Sequence, residues 1–290
     1  MTAASTGFRD PALAPVLDAA LASPTARAAL YDRLRRASGL PSPRVNMGLV
    51  TAFAAEAAHR GAMIDALLAA MCAVPEDAAP YGHVDEILPI LGVAGTGARA
   101  AADPTARAKL VEGLEDMACD RRSRVRDGVA HALASIGLVD VQFHGTLTRW
   151  IDDDQPWLLR AVATALSEVP LIAALGAAPL SQLSDRMLLR IEREHRAGRR
   201  HEAFRRALTA VEGALPAIVQ RHFVVTEALT KHAKSEDEDV TGAIAACAKA
   251  LAKGRAAEQA KTLEAALAAA AKPSRDPRWD RLPGKRGRGK

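Results

Sequence analysis

One stretch of this chain occurs twice, at 24–53 and again at 104–133, and the two copies align without a gap. Both open on Pro-Thr-Ala-Arg-Ala, and several of their leucine, alanine and glycine positions keep a constant offset of 80 residues. A fixed period of this length is typical of proteins in which helical units stack on one another. Alanine and leucine are frequent and aromatic residues make up only 3% of the chain, so the sequence predicts an all-α fold.

Prolines and glycines divide the apolar segments into helical hairpins of about forty residues. The predicted helices are 25–37, 44–58, 61–73, 84–91, 109–119, 125–136, 141–150, 179–196, 201–215, 217–233, 240–252 and 256–271. Gly92, Gly95 and Gly97 predict a loose connection before the second copy begins. Gly48 and Gly128 occupy the same position in the two copies, and we expect both to be tight helix contacts where a larger side chain would overpack.

The second helix of the third hairpin begins Val125-Arg126 and continues through small residues to Leu133. Its pattern Val-Ala-x-Ala-Leu returns at 162–166, an offset of 33 residues. This resembles the HEAT-repeat family, whose second helix commonly opens with a valine–arginine pair. The resemblance implies a right-handed α–α superhelix, a HEAT-like solenoid, over residues 1–170 and a less regular helical continuation over 171–271. Arg160 falls one residue later than the position equivalent to Arg126, a rotation of about 100° around the helix.

The positive charge of the chain is concentrated at its C-terminal end. Residues 272–290 contain eight Lys or Arg and two Asp, a net charge of +6, whereas the whole chain carries +5, which leaves −1 for residues 1–271. The Pro, Gly and basic composition of 272–290 predicts a disordered basic tail. Its candidate residues for loose nucleic-acid binding through charge and stacking are Trp279, Lys285, Arg286 and Arg288. Solubility and contact with acidic proteins are the alternative roles.

Two groups of arginines in the helical region are candidate binding residues. One group, on a predicted helix and just beyond it, consists of Arg186, Arg190, Arg193, Arg199 and Arg200. The other, at the turn of the third hairpin, consists of Arg121, Arg122 and Arg124 beside Arg126. The first three arginines of the first group share a helical face, and such a row suits phosphates or an acidic partner. The interleaved glutamates indicate the alternative, a solvated surface on which charges pair with one another.

Trp150 and Asp154 lie four residues apart and are followed by Arg160 and Arg190. In this combination the chain is similar to bacterial alkylpurine DNA glycosylases built from HEAT-like repeats, which use tryptophan, aspartate and arginine on a concave face. The resemblance implies that Trp150 stacks on a damaged base and that Asp154 stabilises positive charge on the sugar. The alternative is that Trp150 packs in the core and that one carboxylate of 152–154 caps the following helix.

Several other classes of function have no support in the sequence. No long uncharged apolar run and no apolar signal-peptide centre is present, so we expect a cytoplasmic protein without membrane contact. Cys72, Cys119 and Cys247 are scattered, and we expect buried free thiols rather than a metal site. No metal and no cofactor is expected, because neither a metal-ligand spacing nor a catalytic or phosphate-binding loop motif occurs.

The regular patterns in the sequence, which are the repeats and the helix breaks, all concern the packing of helices. They favour a non-enzymatic scaffold or adaptor that presents a helical-repeat surface to a protein partner. The alternatives are a nucleic-acid-binding protein that uses the basic tail and the arginine-rich helix, and the HEAT-like DNA glycosylase. The sequence leaves open the identity of the partner, the oligomeric state and the use of the concave face.

Overall fold

A computed structural model describes residues 12–196 and 201–270, including the side chains of all but the last two residues before the gap. In these ranges the regular structure is helical and no strand occurs, as the sequence predicts. The α-helices are α1 (Leu13–Ala22), α2 (Arg27–Ala37), α3 (Met47–Arg60), α4 (Asp65–Cys72), α5 (Ile87–Ala102), α6 (Arg107–Ala118), α7 (Ser123–Val139), α8 (His144–Asp152), α9 (Pro156–Ala165), α10 (Val169–Leu175), α11 (Ala177–Arg196), α12 (Glu202–Arg221), α13 (Thr226–His232), α14 (Glu238–Leu251) and α15 (Ala257–Ala270). Short 3₁₀ turns occupy Pro24–Ala26, Gly61–Ile64, Val84–Glu86, Val141–Phe143 and Phe223–Val225.

Six helices form a continuous series in which each packs on the next: α3, α5, α7, α9, α12 and α14. We call this series the central row. On its flank, α4 and α6 pack on α5, α8 packs on α9, and α11 packs on α8 and α13. One connected apolar core runs through both sets of helices, from α1 to α15. The helices of the central row therefore lie next to one another in the order of the series.

The centre of the first half is α5, a helix buried along nearly its whole length. The loose connection predicted at Gly92, Gly95 and Gly97 is wrong, because all three lie inside this helix. Their missing side chains let neighbouring helices approach: a Cβ on Gly92 would lie 2.8 Å from the sulfur of Cys72, and one on Gly97 would lie 2.7 Å from the Cα of Ala132. The three glycines are therefore close helix contacts on different sides of α5.

Gly48 and Gly128 are not the tight contacts that the sequence predicts. A Cβ on Gly48 would meet only the side-chain oxygen of Asn46, the residue that caps its own helix. A Cβ on Gly128 would lie 3.4 Å from Val93, an ordinary van der Waals distance. The prediction fails because Gly48 meets only its own capping residue and Gly128 faces α5 at an ordinary distance, while the closest approaches are made at the glycines of α5.

The two copies of the repeated stretch begin in the same way. Their first helices start at equivalent positions, Arg27 and Arg107. Their second helices do not, because α3 starts at Met47 whereas α7 starts at Ser123, which is equivalent to Pro43. Prolines between α2 and α3 delay the helix in the first copy, since proline restricts the residue before it and supplies no N–H.

The second half contains two departures from the predicted helices. Helix α10, a short helix that begins at Val169, has no counterpart among the predictions. The predicted break at Pro216 is also wrong, because α12 runs through it to Arg221 and α13 begins only at Thr226. The apolar face of α12 continues on both sides of the proline, and its packing against α9 and α14 outweighs the lost hydrogen bond.

Of the three cysteines, only Cys247 is fully buried as expected. Cys247 is buried and Cys72 is partly buried, and burial raises their thiol pKa values to about 12 and about 11. Cys119 is exposed at the end of α6, so the expectation of burial is wrong there. It lies in the turn between α6 and α7, which leaves one side of the residue open to solvent.

Within the ranges that the structure describes, no single helix is both long and apolar enough to cross a membrane. One pair of helices passes that test together, Pro156–Ala165 with Val169–Leu175, and it is bent by 90°.

Candidate binding surface on the central row

Arginines at the turn before α7 hold neighbouring segments together. The side chain of Arg122 is almost fully buried and donates to the carboxylate of Asp120 and to the backbone oxygens of Val74 and Ala79. These bonds join the α6–α7 turn to the segment after α4. The guanidinium group of Arg122 is therefore occupied by contacts within the protein. Arg121 is exposed and lies 3.6 Å from a glutamate of that segment.

Arg124 has similar contacts on the side of α3. It donates to the fully buried Glu86 at 2.7 Å and to the backbone oxygens of Ser42 and Pro43 at 3.4 and 3.2 Å. Its guanidinium also lies over the ring of Tyr81, 4.4 Å from the ring centre. Arg124 thus links three segments, and only part of it borders the surface.

The arginines of α11 point toward one short segment rather than toward open solvent. Arg190 is buried and donates to two backbone oxygens of the 152–154 segment at 2.9 and 3.0 Å and to Glu194 at 2.7 Å. Arg186 lies 3.4 Å from a carboxylate of that segment, and Arg193 donates to a backbone oxygen there at 2.8 Å. The three side chains therefore attach α11 to the end of α8.

The residues that resemble a DNA glycosylase site in the sequence lie in different environments in the structure. Trp150 is fully buried and donates its ring N–H to Glu115 at 3.1 Å, so its ring faces are inside the core. Asp154 is exposed in the turn before α9. Arg160 projects from α9 and pairs with Asp127 of α7 at 2.6 Å. The structure does not bring the tryptophan and the aspartate together on an open face.

An apolar cleft opens on the central row between α3, α5 and α7. Its volume is about 380 Å³. It is lined by Pro43, Val45, Met47, Val50, Ile90, Ala94, Arg124, Asp127, Gly128, His131 and Glu168. Met47 stands at the mouth with 59% of its surface exposed, while the residues of α5 form the apolar floor. Charged groups of both signs surround this apolar centre, and His131 lies 3.5 Å from Glu168.

Three arginines, one on each of three successive helices of the central row, lie near enough that the charges of two act on the third, and one of them pairs with Asp127 at the rim of the cleft. They are Arg126 on α7, Arg160 on α9 and Arg206 on α12, and we call them the arginine cluster. Arg126 lies over the ring of Trp157, 4.2 Å from the ring centre, and also donates to backbone oxygens of the preceding turn. Arg206 is 63% exposed and lies 3.4 Å from Glu202.

Burial and neighbouring positive charge both act on Arg126 within the cluster. Burial, and then the neighbouring charge of Arg160, lower the pKa of Arg126 below its ordinary value, and Arg206 adds to this effect. The carboxylates of Asp127 and Asp120 act in the opposite direction and do not cancel it. The contribution of Arg160 and Arg206 to this lowering indicates that an added negative charge is favourable beside Arg126.

Sequence reasoning found the cluster only in part. The displacement of Arg160 by one residue makes it equivalent to Asp127 at the offset of 33, and these two residues form the ion pair between α7 and α9. Trp157 carried no signal of its own, and Arg206 was one of many basic residues in its part of the sequence. The one available clue was the repeat offset, because equivalent positions on successive repeats become neighbours when the helices stack.

Part of the predicted site lies outside the described residues. This applies to Arg199 and Arg200 and to the tail residues Trp279, Lys285, Arg286 and Arg288. Among the residues that are described, no group of three or more His, Cys, Asp or Glu side chains is arranged to hold a metal ion.

Comparison of the whole chain with family models, with curated proteins and with solved structures gave no match.

Proposed function

We propose that this protein is a non-enzymatic adaptor, built as a HEAT-like right-handed superhelix, which binds an apolar segment of a partner protein in the α3–α5–α7 cleft. The observation that carries the proposal is the cleft itself, an apolar floor on three stacked helices with charges of both signs at its rim. A groove of this kind suits a peptide that inserts apolar side chains and orients itself by polar contacts at the edge.

The surroundings of the candidate catalytic residues support a non-enzymatic role. Stacking on a base needs an open aromatic face, whereas Trp150 is buried and its polar edge is bonded to Glu115. The repeated start of α2 and α6 and the continuous central row support the HEAT-like architecture. Because the arginines of α11 bond to the chain itself, they contribute less to a nucleic-acid surface than the sequence suggested.

The proposal is tested by selecting binding peptides from a random library on the purified protein and measuring their affinities for two variants. Met47→Asp places a carboxylate at the mouth of the cleft, where the exposed side chain allows it without unfolding the protein. We expect the selected peptides to be rich in apolar residues and to lose about tenfold or more in affinity for this variant, since a desolvated charge opposes apolar burial.

The matched control is Met63→Asp, because Met63 is a 73% exposed methionine that does not line the cleft. Its peptide affinities should equal those of the unmodified protein. Peptides that bind Met47→Asp as well as the control would place binding elsewhere and refute the cleft as the site. Co-purification from native extract with and without nuclease then separates a protein partner from one held through nucleic acid.

A further inference from the structure

Two buried guanidinium nitrogens on neighbouring helices have no hydrogen-bond partner in the described part of the protein. They are Nε of Arg126 and Nη1 of Arg160. Buried donors are satisfied in the great majority of cases, and a donor without an acceptor is costly to the folded state. Two such donors on adjacent members of one cluster leave hydrogen bonds that an acceptor from outside the chain, water or a ligand, can complete.

The charge of the cluster agrees with this interpretation. Among the described residues, its three guanidinium groups are opposed by two adjacent carboxylates, those of Asp127 and Glu202. The carboxylate of Asp120 is engaged by Arg122 at 2.6 Å. The cluster therefore keeps a surplus of one positive charge over these carboxylates, and after burial the charge of Arg160 is the next cause of the lowered pKa of Arg126.

We infer that the arginine cluster binds a phosphate group carried by the partner segment that occupies the neighbouring cleft. This inference rests on the proposed adaptor function. The donors come from different helices and do not form one planar fork, and a tetrahedral phosphate accepts hydrogen bonds from several directions, whereas a carboxylate accepts in a single plane. A phosphate monoester also carries nearly two negative charges at neutral pH, so it is attracted more strongly than a carboxylate to a cluster with surplus positive charge.

The position of the cluster favours a phosphorylated protein segment over a nucleic acid. Asp127 belongs both to the rim of the cleft and to the ion pair with Arg160, so the two sites are contiguous. The same rim carries Glu168. Carboxylates at these positions repel the continuous phosphate chain of a nucleic acid but leave room for one phosphate beside an apolar segment.

The first experiment measures the binding of inorganic phosphate to the full chain by ³¹P NMR titration at constant ionic strength. We expect saturable binding that weakens about tenfold or more in Arg160→Gln, since a charge-assisted hydrogen bond and its charge are lost together. Arg186→Gln is the matched control, because Arg186 also pairs with an aspartate and lies on α11, outside the cluster. Arg206→Gln, in which an exposed side chain is changed, should also weaken binding without disturbing the core.

The second experiment uses a cleft-binding peptide synthesised with and without one phosphoserine. The phosphoserine should tighten its binding to the unmodified protein but not to Arg160→Gln. The gain should increase from about pH 5.5 to about pH 7.5, because a phosphate monoester takes its second charge near pH 6 while arginine stays protonated.

The outcomes separate the two proposals. Absence of saturable phosphate binding, or equal binding by Arg160→Gln, overturns the phosphate site even if peptides occupy the cleft. Phosphate binding that depends on Arg160, together with peptides that ignore Met47→Asp, leaves a phosphate site but refutes the cleft. A single-stranded oligonucleotide that binds more tightly than the phosphopeptide and depends on Arg160 overturns the protein segment as the source of the phosphate.

Discussion

At the scale of single residues, the meaning of a glycine depends on the helix that faces it. Gly97 is buried in α5 against the backbone of Ala132. Gly113 on α6 is exposed, and a Cβ added to it would meet no described atom within 4 Å. Both lie within helices, where glycine is less favourable than alanine. The same substitution is therefore expected to act in opposite directions at the two positions.

We predict that Gly97→Ala destabilises the protein by about 1–3 kcal/mol, because the added methyl group forces α5 and α7 apart. Gly113→Ala should stabilise it by about 0.5–1 kcal/mol through helix propensity alone. Urea denaturation followed by circular dichroism measures both changes. A stabilised Gly97→Ala variant would show that α5 and α7 do not cross at this residue.

At the scale of elements, the turn between α5 and α6 is held by hydrogen bonds to one carboxylate. Thr105 donates to Asp103 from both its hydroxyl, at 2.7 Å, and its backbone N–H, at 2.9 Å. Together with a bond from the backbone of Ala106, these contacts lower the pKa of Asp103 from 3.8 to about 2. The charged carboxylate therefore fixes the turn that joins α5 to α6. Ser23 occupies the equivalent position in the first copy and carries no charge.

The lowered pKa of Asp103 predicts a pH dependence of stability. The folded state holds the carboxylate ionised, so the stabilisation is complete above about pH 4 and is lost as the pH falls toward about 2. Asp103→Asn keeps an acceptor oxygen without the charge. We expect it to be less stable than the unmodified protein at neutral pH, with the difference shrinking below about pH 4.

Urea denaturation at a series of pH values from about 2.5 to about 7 measures this difference. Ser23→Ala is the control, because its effect on the free energy of unfolding should not change with pH. A difference between Asp103→Asn and the unmodified protein that stays constant over this range would show that the charge of Asp103 does not stabilise the turn.

At the scale of the whole molecule, the net positive charge lies in a part of the chain that follows the described helices. The last described helix, α15, ends at Ala270, and residues 272–290 carry +6 while residues 1–271 carry −1. Any nonspecific attraction to nucleic acid should then come mainly from the last stretch, through release of counterions from phosphates.

We predict that removal of residues 272–290 abolishes most binding to a single-stranded oligonucleotide and leaves the helix content unchanged. If about four to six basic groups make contact, the logarithm of the affinity should fall with the logarithm of salt concentration with a slope of roughly −3 to −4. Salt titrations of the intact and the shortened protein on one oligonucleotide measure this. Undiminished binding by the shortened protein would move the nucleic-acid site to the helical region, with the arginine cluster as the next place to test.

The sequence by itself determined the helical class and most helix positions, because the periodicity of apolar residues and the proline and glycine breaks act over a few neighbouring residues. The spacing of Leu183, Met187 and Ile191 puts them on one side of α11, and all three are fully buried. The cleft was beyond the reach of the sequence and the arginine cluster was indicated only in part by the repeat offset, since both join residues that lie far apart in the chain.

Only the tertiary structure decided which arginines hold distant segments together and which form the arginine cluster. Arg122, Arg124 and Arg126 are close in sequence, yet the first two bond to distant backbone and carboxylate oxygens, whereas Arg126 meets Trp157 and the arginines of α9 and α12. The physical reason is that a local pattern sets which face of a helix is apolar, while the partners of a charged side chain are set by the helices that pack beside it.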